Sequence, residues 1–453
     1  MTLSRERLQE QSSEQRREQV GGRTAAALIT APGSGQGKSM VTAAMARLHR
    51  NAGRKVRVFK HGPDYLDPMV LEVASGAPVY QVHGWMTGDD EIRWRLAEAA
   101  QDADLILVEG SMGLFDGDPC SADLAVSCGI PALPVMDARA MGQTFGALAL
   151  GLASYRPDVQ VREVIANRVG SAYHAQLVRE SLPPGISLLG AIPRSEAFAI
   201  PDRHLGLVQA SELPDLDASL DAAAAVLVEA GLDQLPAQVD LSAAVPDAPP
   251  QLLAGRRIAI ARDNAFAFIY RANLDLLQAM GAELVFFSPL ADSTLPDADA
   301  LWLPGGYPEL HGATLAANPP LNSAIQAHHR ANKPILAECG GLMACVETLQ
   351  DGDGEEHAML GLMPGRARMA SRLKGLGMQG MAGAGASAHE ELRGHAYHHS
   401  ELETSLAPVA HARKLRGTEG EAIYRCGSLT ASYFHGYFPS APQLVADLFN
   451  GHS

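Results

Sequence analysis

Short apolar runs alternate with longer helical segments along most of this chain of 453 residues. A run of this length between turn signals is typical of a strand buried on both faces of a sheet. Strands of that kind belong to parallel sheets, which need helices packed on both sides. The runs lie at residues 25–31, 55–60, 104–110, 130–137, 162–168 and 187–193, and then at 257–262, 282–288, 299–306 and 333–341. The two series of strands predict two doubly wound α/β domains.

A segment rich in proline and alanine, LPAQVDLSAAVPDAPPQLLAGR, separates the two series of strands. Its composition is typical of a linker. The first 23 residues are charged and contain no apolar run, which predicts a flexible tail rather than a signal peptide. The sequence therefore predicts a tail over 1–23, a first domain over 24–233, a linker over 234–255 and a second domain over 256–453.

Charge and cysteine content exclude several classes of protein. The formal net charge is −15 and no basic cluster is evident, so no nucleic-acid-binding surface is predicted. No window of about 18 residues is continuously apolar, so no membrane span is expected. The five cysteines lack C-x-x-C spacing, which argues against a disulfide framework or a zinc site and fits a reducing compartment. These features predict a cytoplasmic protein that binds neither nucleic acid nor membranes.

The segment APGSGQGKS follows the first predicted strand and opens a helix. Glycines in such a turn let backbone N–H groups approach phosphates, and the helix N-terminus adds positive potential. Lys38 is predicted to reach the terminal phosphates of ATP and Ser39 to ligate Mg²⁺. Pro32 stands where the usual pattern has glycine, but the loop keeps three glycines, Gly33, Gly35 and Gly37. Strand, Gly-Lys-Ser and helix together favour a nucleotide site over an ordinary glycine-rich turn.

Two further polar segments end the second and third predicted strands, at the same edge of the sheet. Glu109, in VEGSMGLFDG, is well placed to hold a metal ion beside the phosphate loop, the alternative being a capping carboxylate. Lys60 and Asp64, in KHGPDYLDP, would face the phosphates and the metal. Gly-Pro-Asp is equally an ordinary turn sequence, so both interpretations stay open for Asp64.

Cys339 lies where a buried strand gives way to a helix, in PILAECGGLM. A tight strand-to-helix turn flanked by small residues exposes a nucleophile, and Gly340 and Gly341 suit such a turn. The helix N-terminus is also expected to lower the pKa of the thiol. The alternative is a small buried apolar residue, the common fate of a free cysteine. The context favours a reactive thiol.

A thiolate nucleophile needs a base or a cationic partner. His435, in SYFHGYFP, follows a predicted strand near the C-terminus. The segment GHAYHHS offers three rivals, and sequence spacing does not choose among them: His395, His398 and His399.

A series of stretches occurs in one order from about residue 24 to the C-terminus: APGSGQGKS, KHGPDYLDP, VEGSMGLFDG, ANRVGS, PDRHLGLV, ARDNAFAFIY, LVFFSPLAD, LPGGYPELH, LAECGGLM, GHAYHHS and SYFHGYF. Together they resemble the cobyrinate a,c-diamide synthase family, which includes the hydrogenobyrinate enzymes. The resemblance implies a dethiobiotin-synthetase-like phosphate-loop domain followed by a class I glutamine amidotransferase domain. The resemblance is specific because many motifs occur together in one order. A phosphate loop alone would not identify a family.

The resemblance implies roles for particular residues. Cys339 is then the glutaminase nucleophile and His435 the base that raises its nucleophilicity. Gly306 and the N–H of Gly340 would form the oxyanion hole. The metal-binding positions and the phosphate-binding lysines fall on Ser39, Asp64, Glu109, Lys38 and Lys60.

The chain also departs from the family pattern at two positions. Many class I glutaminases carry glutamate two residues after the histidine, where this chain has Tyr437, so the third member of the triad is unassigned. In YQVHGWMTG, His83 replaces a residue of the family's Asn-Leu-Asp run, which puts the substrate contacts of that loop in doubt.

The resemblance implies a ligase that amidates the a- and c-side-chain carboxylates of cobyrinate or hydrogenobyrinate in cobalamin biosynthesis. ATP, with Mg²⁺, would convert each carboxylate to an acyl phosphate, and glutamine would supply channelled ammonia. A homodimer is compatible with this assignment. Three alternatives stay open: cobyric acid synthase-type amidation, amidation of nickel sirohydrochlorin, and an ATP-dependent switch with an inert glutaminase-like half. PDRHLGLV favours the a,c-diamide enzymes, and the presence of both Cys339 and His435 disfavours the switch.

Overall fold

The computed structural model describes residues 18–198, 209–383 and 389–451. Most of the predicted tail (1–17) and the motif PDRHLGLV (201–208) lie outside the described residues. The chain forms two compact units that divide between Asp247 and Ala248. Among the helices in the described ranges, none has the length and apolar character needed to cross a membrane.

The first unit is a parallel sheet with helices on both faces. Its strands are β1 (Gln19–Thr30), β2 (Val56–His61), β3 (Tyr80–Val82), β4 (Leu105–Glu109), β5 (Ala132–Asp137), β6 (Glu163–Val169), β7 (Ser187–Pro193) and β8 (Gln238–Ala244). Its helices are α1 (Lys38–Asn51), α2 (Leu66–Ser75), α3 (Asp89–Ala100), α4 (Ser121–Cys128), α5 (Thr144–Ser154), α6 (Ala172–Ser181) and α7 (Leu216–Glu229). The strand order is β3-β2-β4-β1-β5-β6-β7, and every pair along this path is parallel.

Alternate side chains of the central strand β1 enter two different apolar clusters. Ala26 and Leu28 pack into one, and Ala25, Ala27 and Ile29 pack into the other. This two-residue period places one cluster on each face of the sheet. Both faces are therefore covered, which explains why the strand reads as a continuous apolar run rather than an alternating one.

Two segments predicted as tail and linker form part of this sheet. β1 begins at Gln19, inside the predicted tail, and its first half pairs antiparallel with β8, inside the predicted linker. The parallel neighbours of β1 begin their pairing only at Ala25 and Leu28, so the backbone groups before Ala25 need another partner. β8 supplies it, and Leu241 adds a buried side chain. Residues 19–23 and 238–244 are therefore strand residues of this sheet, while the division between the two units falls inside the predicted linker.

The second unit combines parallel and antiparallel strands. Its strands are β9 (Arg257–Ala261), β10 (Glu283–Phe287), β11 (Ala300–Leu303), β12 (Ile335–Glu338), β13 (Thr348–Gln350), β14 (Glu356–Ala358), β15 (Arg366–Met369), β16 (Gly375–Ala382), β17 (Glu391–His398), β18 (Ser400–Glu403), β19 (Ala410–Lys414), β20 (Glu419–Cys426), β21 (Leu429–Ser432) and β22 (His435–Gly436). Its helices are α8 (Arg271–Ala279), α9 (Gly312–Ala316), α10 (Pro319–Arg330), α11 (Gly340–Cys345) and α12 (Pro442–Asn450).

The larger sheet of this unit has the order β10-β9-β11-β12-β21-β20-β19-β16-β17-β22. The pairs from β10 to β21 are parallel, and those from β21 to β22 are antiparallel. A smaller sheet has the order β14-β13-β15-β18. The predicted α/β fold class is confirmed, with an antiparallel extension that the sequence pattern did not reveal.

Two candidate active sites

The phosphate loop joins β1 to α1 and contains glycines that the backbone requires. Gly35 and Gly37 have positive φ values of 79° and 88°, which disfavour any residue with a Cβ. A Cβ on Gly37 would also lie 2.4 Å from Nδ2 of Asn167. Gly33 has open space around its Cβ position, so neither strain nor crowding demands glycine there.

Two neighbouring residues of β6 hold this loop in place. Asn167 Nδ2 donates to the carbonyl of Gln36 at 2.8 Å. Arg168 donates to the carbonyl of Gly35 at 2.9 Å and to Asp137 Oδ2 at 2.8 Å. Both residues belong to the ANRVGS motif, but no role for their side chains was predicted from the sequence. Their position at the carboxyl end of a parallel strand is the signal that would have found them.

A charged cluster lies beside the loop, where β2, β4 and the start of α2 meet. Ser39 Oγ donates to Glu109 Oε1 at 2.6 Å and lies 3.2 Å from Asp67 Oδ2. Lys60 Nζ lies 3.1 Å from Glu109 Oε1, forms a closer ion pair with Asp67, and lies 3.9 Å from Asp64 Oδ2. The structure thus brings together all the predicted metal ligands and adds Asp67. The sequence signal for Asp67 is its position three residues after Asp64, one turn along the same segment.

Burial and charge set the protonation of this cluster. Burial alone would lower the pKa of Lys60, but Glu109, Asp67 and Asp64 outweigh it and raise that pKa above its ordinary value. Burial, and then the charge of Asp67, raise the pKa of Glu109 to about 7. Burial also lowers the pKa of Lys38. The surrounding carboxylates therefore keep Lys60 charged at the mouth of the phosphate loop.

The donors here fit a hard cation held partly by phosphates. Glu109 Oε2 is buried and has no hydrogen-bond partner among the described residues. Asp64 Oδ1 accepts the N–H groups of Leu66 at 2.7 Å and Asp67 at 3.2 Å, so half of this carboxylate caps α2. Across residues 18–198, 209–383 and 389–451, no three His, Cys, Asp or Glu side chains form a ready metal cage. Carboxylate and hydroxyl oxygens with phosphate oxygens are the usual Mg²⁺ environment, which does not need such a cage.

These groups open into a cleft of about 780 Å³. Lys38 lies at its wall, where Nζ donates to the carbonyl of Met112 at 3.0 Å. The glycine loop, the lysines and the carboxylates line the cleft together with three arginines, Arg139, Arg168 and Arg194. A cleft of this size with convergent cations suits a nucleoside triphosphate.

The second site is built around Cys339, between β12 and α11. The residue has φ 48° and ψ −104°, a conformation that costs about 1–3 kcal/mol for a non-glycine residue. Its backbone N–H donates to the carbonyl of Ser432 at 2.7 Å. Strain of this kind persists only where the surrounding structure enforces it, and it is the geometry of a strand-to-helix nucleophile turn.

The glycines around this turn allow a close approach of backbones. A Cβ on Gly340 would lie 2.9 Å from the backbone N of Gly306. A Cβ on Gly305 would lie 2.3 Å from Cε1 of His435. The Gly305–Gly306 turn therefore contacts both the turn that carries Cys339 and the imidazole of His435. The predicted oxyanion-hole glycines and the predicted base thus lie close to the turn that carries Cys339.

The four candidate histidines have different surroundings. His395 pairs with His435 across β17 and β22, and the two rings stack with centroids 5.1 Å apart. The rings of His398 and His399 each contact a tyrosine ring. His435 is the histidine against the Gly305 turn, and His395 lies behind it.

Burial shifts the pKa values of both Cys339 and His435. Burial, and then the charge of Glu309, raise the pKa of the Cys339 thiol above its ordinary value, and the N–H of Gly340 lowers it only in part. The expected net lowering by the helix N-terminus is therefore wrong, because α11 spans only six residues and the sulfur is buried. Burial, followed by the charges of two neighbouring histidines, lowers the pKa of His435 well below the ordinary range. Both shifts favour the neutral forms, a thiol at Cys339 and an imidazole at His435.

Sequence reasoning missed Glu309, which lies in a short 3-10 helix after the LPGGY turn. Glu309 is buried, and its Oε2 has no hydrogen-bond partner in the described part of the chain. Burial raises its pKa to about 7. A lone carboxylate beside a nucleophile has no pattern of its own in the sequence.

Comparison with known proteins agrees with this pair of sites. Residues 27–208 match the CobQ/CobB/MinD/ParA nucleotide binding domain, and residues 257–443 match the CobB/CobQ-like glutamine amidotransferase domain. The chain is 54% identical to the hydrogenobyrinate a,c-diamide synthase of Pseudomonas aeruginosa over 94% of this chain and 97% of that protein. It is 55% identical to the hydrogenobyrinate a,c-diamide synthase of Stutzerimonas stutzeri, over 93% of this chain and 98% of that protein.

A third relative, the cobyrinate a,c-diamide synthase of Herminiimonas arsenicoxydans, is 49% identical over 93% of this chain and 96% of that protein. Identity at this level runs through both units and spans nearly the whole of each relative. The chain belongs to the cobyrinate and hydrogenobyrinate a,c-diamide synthase family.

Proposed function

We propose that this protein uses ATP and glutamine to amidate the a- and c-side-chain carboxylates of hydrogenobyrinate or cobyrinate in cobalamin biosynthesis. The observation that carries the proposal is the presence of two complementary sites in one chain. One is a phosphate loop with a buried carboxylate–lysine cluster, and the other is a strained cysteine turn beside a buried imidazole. Relatives named for these two substrates, at 49–55% identity, support the choice of corrin acid.

The first site makes the carboxylate reactive. A carboxylate does not react with ammonia at neutral pH because oxide is a poor leaving group, whereas phosphate leaves readily from an acyl phosphate. The carboxylate oxygen would attack the γ-phosphorus of ATP and release ADP. Phosphoryl transfer depends on positioning and charge neutralisation, which Lys38 and Lys60 supply. Mg²⁺, when bound at Ser39, Asp67 and Glu109, would neutralise charge on the phosphates; Asp64 remains a predicted ligand.

The second site makes the nucleophile. His435 would take the proton of Cys339 as the sulfur attacks the side-chain amide of glutamine. The N–H groups of Gly306 and Gly340 would stabilise the oxyanion, and collapse of the tetrahedral intermediate would give a thioester and ammonia. Water then hydrolyses the thioester to glutamate. The ammonia attacks the acyl phosphate and displaces phosphate, before bulk water can protonate it.

The test is an assay of purified protein with ATP, Mg²⁺, glutamine and several tetrapyrrole acids in parallel. We expect two sequential carboxylate-to-amide conversions of hydrogenobyrinate or cobyrinate by mass spectrometry, each matched by ADP and glutamate. Preferred amidation of an already diamidated corrin or of nickel sirohydrochlorin would assign one of the alternatives. ATP hydrolysis without any amide product would indicate a switch. The expected homodimer and cytoplasmic location are further predictions, which light scattering and cell fractionation check.

A further inference from the structure

Glu338 is a buried carboxylate that bridges elements of the glutaminase site. It is the last residue of β12 and is 5% exposed. Its Oε1 accepts the backbone N–H of Gly436 at 2.8 Å. Its Oε2 accepts the indole N–H of Trp302 at 2.9 Å.

A buried carboxylate satisfied by two neutral N–H groups is an unfavourable choice for a strand end. Transfer of a charged group from water into an apolar interior is unfavourable unless it is paired or well hydrogen-bonded. Burial accordingly raises the pKa of Glu338 to about 7, although the bonds from Gly436 and Trp302 oppose that rise. An apolar residue would fill the end of a buried strand without this penalty, so the carboxylate calls for a reason beyond packing.

The positions of the two groups that donate hydrogen bonds to Glu338 explain why a carboxylate is buried here. Glu338 directly precedes Cys339, and Gly436 directly follows His435. Trp302 lies on β11, the strand that leads into the Gly305–Gly306 turn. One side chain therefore ties the strand of the nucleophile to the strand of the base and to the strand that leads to the predicted oxyanion hole.

Many glutaminases orient their histidine with a carboxylate two residues later, but Tyr437 occupies that position here and is 1% exposed. We propose that Glu338 is the positioning residue of this glutaminase, holding His435 in register with Cys339 through the backbone of Gly436. The inference rests on the proposed glutaminase function. It assigns the task of the missing third triad member to a carboxylate that would act through the backbone N–H of Gly436.

The effect of losing this contact follows from the geometry. β22 comprises only His435 and Gly436, and its described pairing to β17 covers two residues. Asn273 Nδ2 also donates to the carbonyl of Gly436 at 2.9 Å, and the N–H of Tyr437 donates to the carbonyl of Arg393 at 2.7 Å, while the bond to Glu338 ties this segment to the strand of the nucleophile. A displacement of about 1 Å of a catalytic group costs on the order of 10²-fold in rate.

The experiment compares Glu338→Gln, Glu338→Ala and Trp302→Phe in the full-length protein. Glu338→Gln keeps the size of the side chain and one acceptor oxygen, whereas Glu338→Ala removes both acceptors. We expect Glu338→Ala to lower the glutaminase kcat by about 10²-fold with the KM for glutamine nearly unchanged, and Glu338→Gln to be intermediate. Trp302→Phe removes the Oε2 contact and part of a buried ring that packs against Phe438, and is expected to keep kcat within about threefold of wild type, because the bond to Gly436 remains. Amidation driven by ammonium salt should be unchanged in all three variants.

Several outcomes would overturn the inference. These are an unchanged kcat in both Glu338 variants, an effect on KM alone, an equal loss in Trp302→Phe, or an equal loss of ammonium-driven amidation. The Glu338→Gln variant keeps the test informative if Glu338→Ala does not fold. Failure of the proposed function looks different, because the wild-type protein itself would then release no glutamate from glutamine.

Discussion

Replacement of Gly306 by alanine tests the predicted oxyanion hole most directly. Gly306 has φ 157°, and a Cβ there would lie 2.1 Å from the carbonyl oxygen of Ala265, where real contacts stay beyond 3.0 Å. The two backbones must therefore separate by about 1 Å, a displacement that costs on the order of 10²-fold when it moves a catalytic group. Loss of one oxyanion donor costs about 10²–10³-fold in kcat, or ~2.7–4 kcal/mol, so both arguments predict a loss of similar size.

The assay measures glutamate release, and then amidation with glutamine or with ammonium salt as nitrogen source. We expect Gly306→Ala to lose about 10²–10³-fold in the glutamine-dependent reactions and to keep ammonium-dependent amidation. Gly354→Ala is the matched control, because Gly354 also has a positive φ, 91°, in the same unit, but its Cβ would meet no atom within 4 Å. This control carries the backbone strain without the displaced turn and should retain glutaminase activity. Glutaminase activity of Gly306→Ala equal to that of the control would refute the reasoning.

Three further predictions address the chemistry of each site. Cys339→Ala should abolish glutamine-dependent amidation and spare the ammonium-driven reaction, because the thiol serves only to release ammonia; loss of both reactions would count against the assignment. Lys38→Ala should remove both reactions, since no acyl phosphate forms, and ammonium-driven amidation retained in that variant would contradict the role of the phosphate loop. Glu309→Gln removes a negative charge that raises the pKa of Cys339, so iodoacetamide should alkylate Cys339 faster than in wild type at about pH 8. The difference should shrink at about pH 6, where Glu309, with a pKa of about 7, is largely protonated in wild type. Peptide mass mapping of Cys339 measures the alkylation rates of the variant and of wild type. Equal alkylation rates at about pH 8 would exclude the effect.

Most of the sheet framework was accessible to sequence reasoning because buried parallel strands leave a strong local pattern. β8 was missed although Val239 and Leu241 alternate with polar residues, because Gln238–Ala244 is short and lies in a proline-rich segment that reads as a linker. Only the overhang of β1 beyond its parallel neighbours creates the need for that strand. The first residues of β1, 19–23, were assigned to the tail because they contain no apolar run of their own.

The sequence by itself determined the two α/β units, the phosphate loop and the candidate cysteine turn, because each depends on residues that are close together in the chain. The tertiary structure decided which groups act together. It placed Asp67 with Ser39 and Lys60, set the ring of His435 against the Gly305 turn, and put Glu338 between Trp302 and Gly436. It also reversed the expected acidity of Cys339, because burial outweighs a short helix. Contacts and desolvation depend on distances through space, and those distances exist only once the strands have been brought into register.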